Sequence, residues 1–227
     1  MATGLSVSTA ISFPPTALPV EWSLADLRKH LGGIPLRRIR LYPPPGMATE
    51  DDAILLRERD GPICEVIDGI LVEKVMSTYE SVLAGLILHW LHTFLEKHPL
   101  GVASAPDGLL RILPRRTRAP DVSFIRWERF PKRKLPRDRV FAVVPDLAIE
   151  IVSPGNTAAE MDLKLKDYFR AGVRLVWIID PERRMAKVYT SPSEFREVKE
   201  PGALDGGDVL PGFRLKLRDL FNRVPRD

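Results

Sequence analysis

Leu147-Ala-Ile-Glu-Ile-Val152, Thr157-Ala-Ala-Glu160 and Val173-Arg-Leu-Val-Trp-Ile-Ile179 follow one another within a short stretch, and their reading decides the fold. The first is so apolar that it reads as a strand buried on both faces. The second is a capping box, and the helix behind it runs to Gly172, a residue suited to the left-handed position that ends a helix. The third reads as another buried strand, turned by Pro181-Glu182. Beyond it, Ala186 to Thr190 and Phe195 to Lys199 pair as a β-hairpin, and Val209 to Phe221 supplies a last strand and a short closing helix. Upstream, Gly108 to Leu113 and Val122 to Trp127 are short apolar runs bounded by proline or charge, which predicts strands. Tyr79 to Lys97 carries Val82, Leu83, Leu86, Ile87, Trp90, Leu91 and Phe94 at the spacing of an amphipathic helix, ended by Pro99 and Gly101. Cys64 to Lys74 reads as two strands about Asp68-Gly69. The expected architecture is α/β: a mixed sheet with helices against it, and no internal repeat.

The N-terminal third decorates this domain. Residues 1 to about 20, rich in Ser, Thr, Ala and Pro, are expected to be poorly ordered. Ser23 and Asp26 form a capping box for a short helix through Leu31, stopped by Gly32 and Gly33. Pro43, Pro44, Pro45 and Gly46 enforce an extended link, and Thr49 caps a helix to about Arg59. The division is thus an extension over 1–48, partly disordered with one short helix, and a domain over 49–227. The chain's 227 residues, 44% hydrophobic and 28% charged, fit that size of core. One cysteine, Cys64, excludes an intramolecular disulfide and multi-cysteine zinc sites, and agrees with a reducing, cytoplasmic compartment. The first basic residue is Arg28, so no signal-peptide n-region is expected. The longest apolar stretch, Val82 to Leu91, is well short of the roughly 18 residues of a membrane span.

Charge is unevenly placed. Arg111 to Arg139 holds eleven basic residues against three acids, a local +8 in a chain whose formal total is +4. Such a segment suits a surface that faces phosphates, since neutralising them releases counterions. The alternative is an ordinary solvated basic loop.

Two carboxylates stand where apolar residues are expected. Glu150 interrupts Leu147 to Val152, and Asp121 opens Val122 to Ile125. An ionised carboxylate buried without a partner costs several kcal/mol, so each must meet a cation, a metal or a polar cleft. If the two strands are neighbours, Asp121 and Glu150 converge, and hard oxygen ligands of this kind suit Mg²⁺ or Mn²⁺. Ion pairing with Arg or Lys inside the core is the competing reading. A lysine close by can orient the attacking water or help deprotonate it. On the following helix, Lys164 stands about 80° and Lys166 about 120° from the buried centre, which favours Lys164. Glu80 begins the long helix, where an acid suits the helix dipole, and it could also complete a metal site from across the sheet. Asp107 reads as a turn residue, His89 and His92 lack a third ligand, and no glycine-rich phosphate loop is present.

Arg118-Ala-Pro-Asp-Val-Ser-Phe124, Pro145-Asp-Leu-Ala-Ile-Glu-Ile-Val-Ser-Pro154 and the segment from Lys164 to Pro181 occur in an order and spacing that resembles the Uma-two family of the PD-(D/E)xK nuclease superfamily. The resemblance runs from about Glu50 to Phe221 and takes in Glu65 to Gly69, Asp107-Gly108 and Leu210 to Phe213. It implies a restriction-endonuclease-like mixed sheet and a Mg²⁺- or Mn²⁺-dependent endonuclease acting on DNA. It further implies that Asp121 is the metal-binding acid of the first strand, Glu150 that of the second, and Glu80 the helix acid. The usual E-x-K is broken because Val152 holds the lysine position; a lysine displaced to the next helix matches Lys164. Double-strand cutters of the superfamily often work as dimers, so the resemblance also suggests a homodimer. The alternative function is a catalytically silent nuclease-fold domain that binds nucleic acid or protein.

Overall fold

In the computed structural model, which describes residues 18–224, the first element described is helix α1 (Leu24–His30), capped by Ser23 and Asp26 as expected. Positions 1–17 of the segment expected to be poorly ordered lie outside the described residues. Helix α2 (Glu50–Glu58) follows, with a complete Thr49–Asp52 capping box, then the hairpin β1 (Cys64–Ile67) and β2 (Ile70–Glu73). Asp68 and Gly69 both take positive φ, 51° and 78°, as a two-residue hairpin turn requires. The long helix α3 (Thr78–Lys97) leads to strands β3 (Gly101–Ser104), β4 (Leu110–Leu113), β5 (Arg116–Arg118) and β6 (Val122–Arg126). The decisive stretch becomes β7 (Leu147–Ile151), α4 (Ala158–Ala171) and β8 (Leu175–Asp180), with Gly172 left-handed at φ 98°. Strands β9 (Met185–Tyr189), β10 (Phe195–Lys199), β11 (Ala203–Asp205) and β12 (Arg214–Lys216) and helix α5 (Leu217–Asn222) complete the chain.

The central sheet is mixed and six-stranded, in the order β10-β9-β8-β7-β6-β3; β7 and β8 are parallel, joined by α4, and the other neighbours are antiparallel. Its two faces are covered differently. Leu147, Ile149 and Ile151 of β7 point to the side closed by α3, where Leu83, Ile87 and Leu91 meet Val122, Phe124, Trp177 and Phe221. Ala148 points the other way, toward Leu165 and Tyr168 of α4. Side chains alternate along a strand, so Glu150 shares the α4 face with Ala148, and this alternation positions the site.

Two features differ from the reading of the sequence. The hairpin β1-β2 does not join the central sheet; it forms a second sheet, β2-β1-β5-β4, on which Leu27, Leu31, Ile34 and Ile39 of the N-terminal segment pack through Ile67, Ile70 and Val72. Strands β3, β5 and β11 are also additional. β3 is built from the residues expected only to end α3, and its Gly101 lies so close to β6 that a Cβ there would fall 2.1 Å from the Ile125 carbonyl oxygen. Among the described residues no helix is long and apolar enough to cross a membrane.

Candidate active site

Strands β6 and β7 run antiparallel with Val122 opposite Ile149, so one step further Asp121 stands opposite Glu150. Both are buried, at 3% exposure each. Asp121 Oδ2 accepts the backbone N–H of Ile151 at 2.7 Å, so the carboxylate extends the pairing where β6 begins. Its other oxygen, Oδ1, lies 2.9 Å from the ammonium of Lys74. On β7, Glu150 Oε2 accepts from Lys164 Nζ at 2.9 Å and Oε1 accepts the Tyr168 hydroxyl at 2.5 Å. Lys164 and Tyr168 are four residues apart on α4, so both reach the same carboxylate from one helix face.

The structure therefore brings Asp121, Glu150 and Lys164 together: Lys164 is buried against Glu150, while Lys166 is exposed. Glu80 serves as a helix cap. Its carboxylate closes the capping box of α3, accepting the Ser77 N–H at 2.9 Å and bonding the Ser77 hydroxyl, and α3 covers the opposite face of the sheet. Among the described residues no three His, Cys, Asp or Glu side chains are grouped to hold a metal ion, so the set of Asp121, Glu150 and Glu80 is not assembled.

Residues not singled out from the sequence complete the cluster. Glu65 of β1 lies 3.6 Å from Lys164 and 2.6 Å from Arg118, and Arg118 continues to Asp167 of α4 at 2.5 Å. Asp167 meets Arg116 at 2.7 Å, Arg116 meets Asp68 at 2.5 Å, and Asp68 is hydrogen-bonded to His30 at 2.9 Å, so a polar chain runs from the site to α1. One sequence signal was available for Glu65, a charge in an apolar strand, the same signal that marks Glu150. Lys74 has no such signal, because it simply ends the hairpin.

Electrostatics follow from this closed arrangement. Burial holds the Glu150 carboxyl above the usual range; Lys164 pulls it down, and the charge of Asp121 pushes it up. Burial also works against the Lys164 ammonium, but Glu150, Glu65 and Asp121 outweigh it and hold its pKa above the usual lysine value. Lys164 is thus a charge and hydrogen-bond donor, and the base role considered for it finds no support here. Burial pushes Glu65 up, yet Lys164 and Arg118 together bring it down to about 2. Cys64 is buried and its thiol is pushed up to about 11, so it stays protonated and is no nucleophile at neutral pH.

The basic segment is also revised. Of its eleven basic residues, Arg116 and Arg118 belong to the buried network, Arg129 pairs with Asp146, Arg111 with Glu50, Arg139 with Glu58, and Arg126 and Arg133 with Glu128. Arg115 caps backbone carbonyls of Gly46 and Asp68 at 2.6 and 2.9 Å. Much of the local +8 is therefore balanced by acids distant in sequence. Among the described residues, those of the segment that are exposed and make no ion pair are Lys132, Lys134 and Arg137.

The donor chemistry fits a hard divalent ion. Asp121 and Glu150 supply oxygen only, and magnesium commonly takes one or two carboxylates with water and substrate phosphate as its other ligands. A cation, the Lys74 ammonium, already stands against Asp121.

Residues 50–218 match the family model Uma2, described as "Putative restriction endonuclease". The chain belongs to the Uma2 family. A crystal structure of "a putative nuclease belonging to DUF820" from Anabaena variabilis ATCC 29413 superposes with a TM-score of 0.63 at 22% identity, covering 71% of this chain and 90% of that one. That likeness shows a nuclease fold, in agreement with the mixed sheet and flanking helices. No curated protein gives a significant match. Family membership makes this a nuclease-like protein, and Asp121, Glu150 and Lys164 lie inside the Uma2 match.

Proposed function

We propose that the protein is a Mg²⁺- or Mn²⁺-dependent endonuclease that hydrolyses phosphodiester bonds of DNA in the cytoplasm. The observation that carries this reading is the meeting of Asp121 and Glu150, from neighbouring strands, with the Lys164 ammonium 2.9 Å from Glu150. Asp121 and Glu150 would hold the metal, which when bound polarises a phosphoryl oxygen and acidifies a water. Lys164 stabilises negative charge developing on the phosphate, through an ammonium that is already desolvated and aimed. Tyr168 fixes the Glu150 carboxylate by its hydroxyl, and Asp121 is fixed by the Ile151 N–H. We assign Glu80 to holding α3. The Lys132, Lys134 and Arg137 loop would meet backbone phosphates, which position the duplex without reading its sequence.

A second reading is favoured by one observation: each acid is already neutralised by an ammonium in a nearly sealed setting. On that reading the protein binds nucleic acid without cutting it. Incubation of the full chain with supercoiled plasmid separates the two. Nicked and linear DNA are expected with Mg²⁺ or Mn²⁺ and not with chelator; plasmid left intact across a range of divalent metals sinks the nuclease proposal.

A further inference from the structure

Lys74 directly follows β2, at the start of the irregular connection to α3, and its side chain turns inward to 4% exposure. Its ammonium donates to the Pro106 carbonyl at 2.9 Å and the Ala119 carbonyl at 2.6 Å, and lies 2.9 Å from Asp121 Oδ1. An ammonium has three protons, and here all three have oxygen partners. A carboxylate and two backbone carbonyls around one positive centre are the ligand types that hard cations select. The position beside Asp121 is thus built for a cation, and the protein fills it with its own.

The two lysines differ in freedom. Lys164 projects from the middle of α4 into the buried network and touches Glu65 as well as Glu150. Lys74 sits on a connection whose next residues, Val75 to Thr78, are partly or fully exposed, and its flexible four-carbon stem can carry the charge outward by bond rotation. We propose that Lys74 is a resident counter-cation that competes with divalent metal for Asp121, so that the metal enters only as the ammonium leaves. This rests on the metal-dependent reading above and adds a gate to it.

Calorimetric titration of Mn²⁺ into the full chain tests the inference. Lys74→Gln removes the charge but keeps an amide donor for the carbonyls, and it is expected to bind Mn²⁺ at least tenfold more tightly than wild type, with Asp121→Asn abolishing uptake. Equal or weaker binding by Lys74→Gln overturns the gate while leaving the metal reading in place. No uptake by either protein overturns both. Wild type alone gives an independent measure, whether or not the variant folds: acylation of Lys74 by an amine-reactive reagent, followed by peptide mass spectrometry. Mn²⁺ is expected to raise labelling at Lys74 several-fold while Lys164 stays protected; labelling that ignores Mn²⁺ contradicts the displacement.

Discussion

Glu150→Gln is expected to lose plasmid cleavage by a factor of about 10²–10³ or more, the scale set by removing one preorganised electrostatic contact at a reacting phosphate. The substitution keeps the shape of the side chain and an acceptor for Tyr168, whose hydroxyl bonds Glu150 Oε1 at 2.5 Å. It removes the charge that would hold the metal. Stability should move differently. Burial holds the Glu150 carboxyl above its ordinary range, which means that the fold disfavours its ionised form. A neutral amide relieves that penalty, but if its oxygen accepts from Tyr168 its NH2 faces the Lys164 ammonium, which is left with Glu65 at 3.6 Å, itself shared with Arg118. The melting temperature is therefore expected to fall modestly, with the fold retained, while activity disappears. Thermal unfolding and plasmid cleavage on the same preparation check it; a variant that cleaves at the wild-type rate contradicts the role of Glu150.

Arg118→Met should act chiefly on stability. Arg118 is 1% exposed and ties Glu65 to Asp167, so its loss strands buried carboxylates, at a cost of about 3–5 kcal/mol. The effect depends on pH, with a definite sign. Glu65 is held down at about 2 in the fold, from an ordinary 4.5, so its contribution is fully present above about 4.5 and is lost as pH falls toward 2. Urea unfolding at neutral pH and near pH 3 should therefore show the gap between wild type and Arg118→Met narrowing in acid. A gap below about 1 kcal/mol at neutral pH, within the range of an ordinary surface pair, would contradict the buried network.

The strand-helix-strand unit from Leu147 to Ile179 was legible because its signals are local. An apolar run, a capping box and a left-handed glycine each act within a few residues, and the structure reproduces all three. Asp121 and Glu150 were legible for a related reason, as charges inside runs that must be buried. Helix geometry favours Lys164 over Lys166 without separating them, and only the fold shows that Lys164 is enclosed. The ion-pair network was not legible, because its partners are far apart in sequence: 53 residues from Glu65 to Arg118 and 49 from Arg118 to Asp167. The same long-range pairing made the basic segment look freer than it is. Strands β3 and β5 escaped because three- and four-residue strands containing glycine or arginine carry little periodic signal. A capping acid and a ligand acid look alike in sequence, so Glu80 admits both readings there; its bonds to Ser77 are those of a cap.

The central claim is that Asp121 and Glu150 jointly hold a divalent ion. A crystal of the full chain soaked in excess Mn²⁺ and measured for anomalous scattering tests it most directly. A peak is expected within about 2–2.5 Å of oxygens from both carboxylates, with the Lys74 ammonium moved away from Asp121. No peak there, with Lys74 still on Asp121 and Lys164 on Glu150, would contradict it.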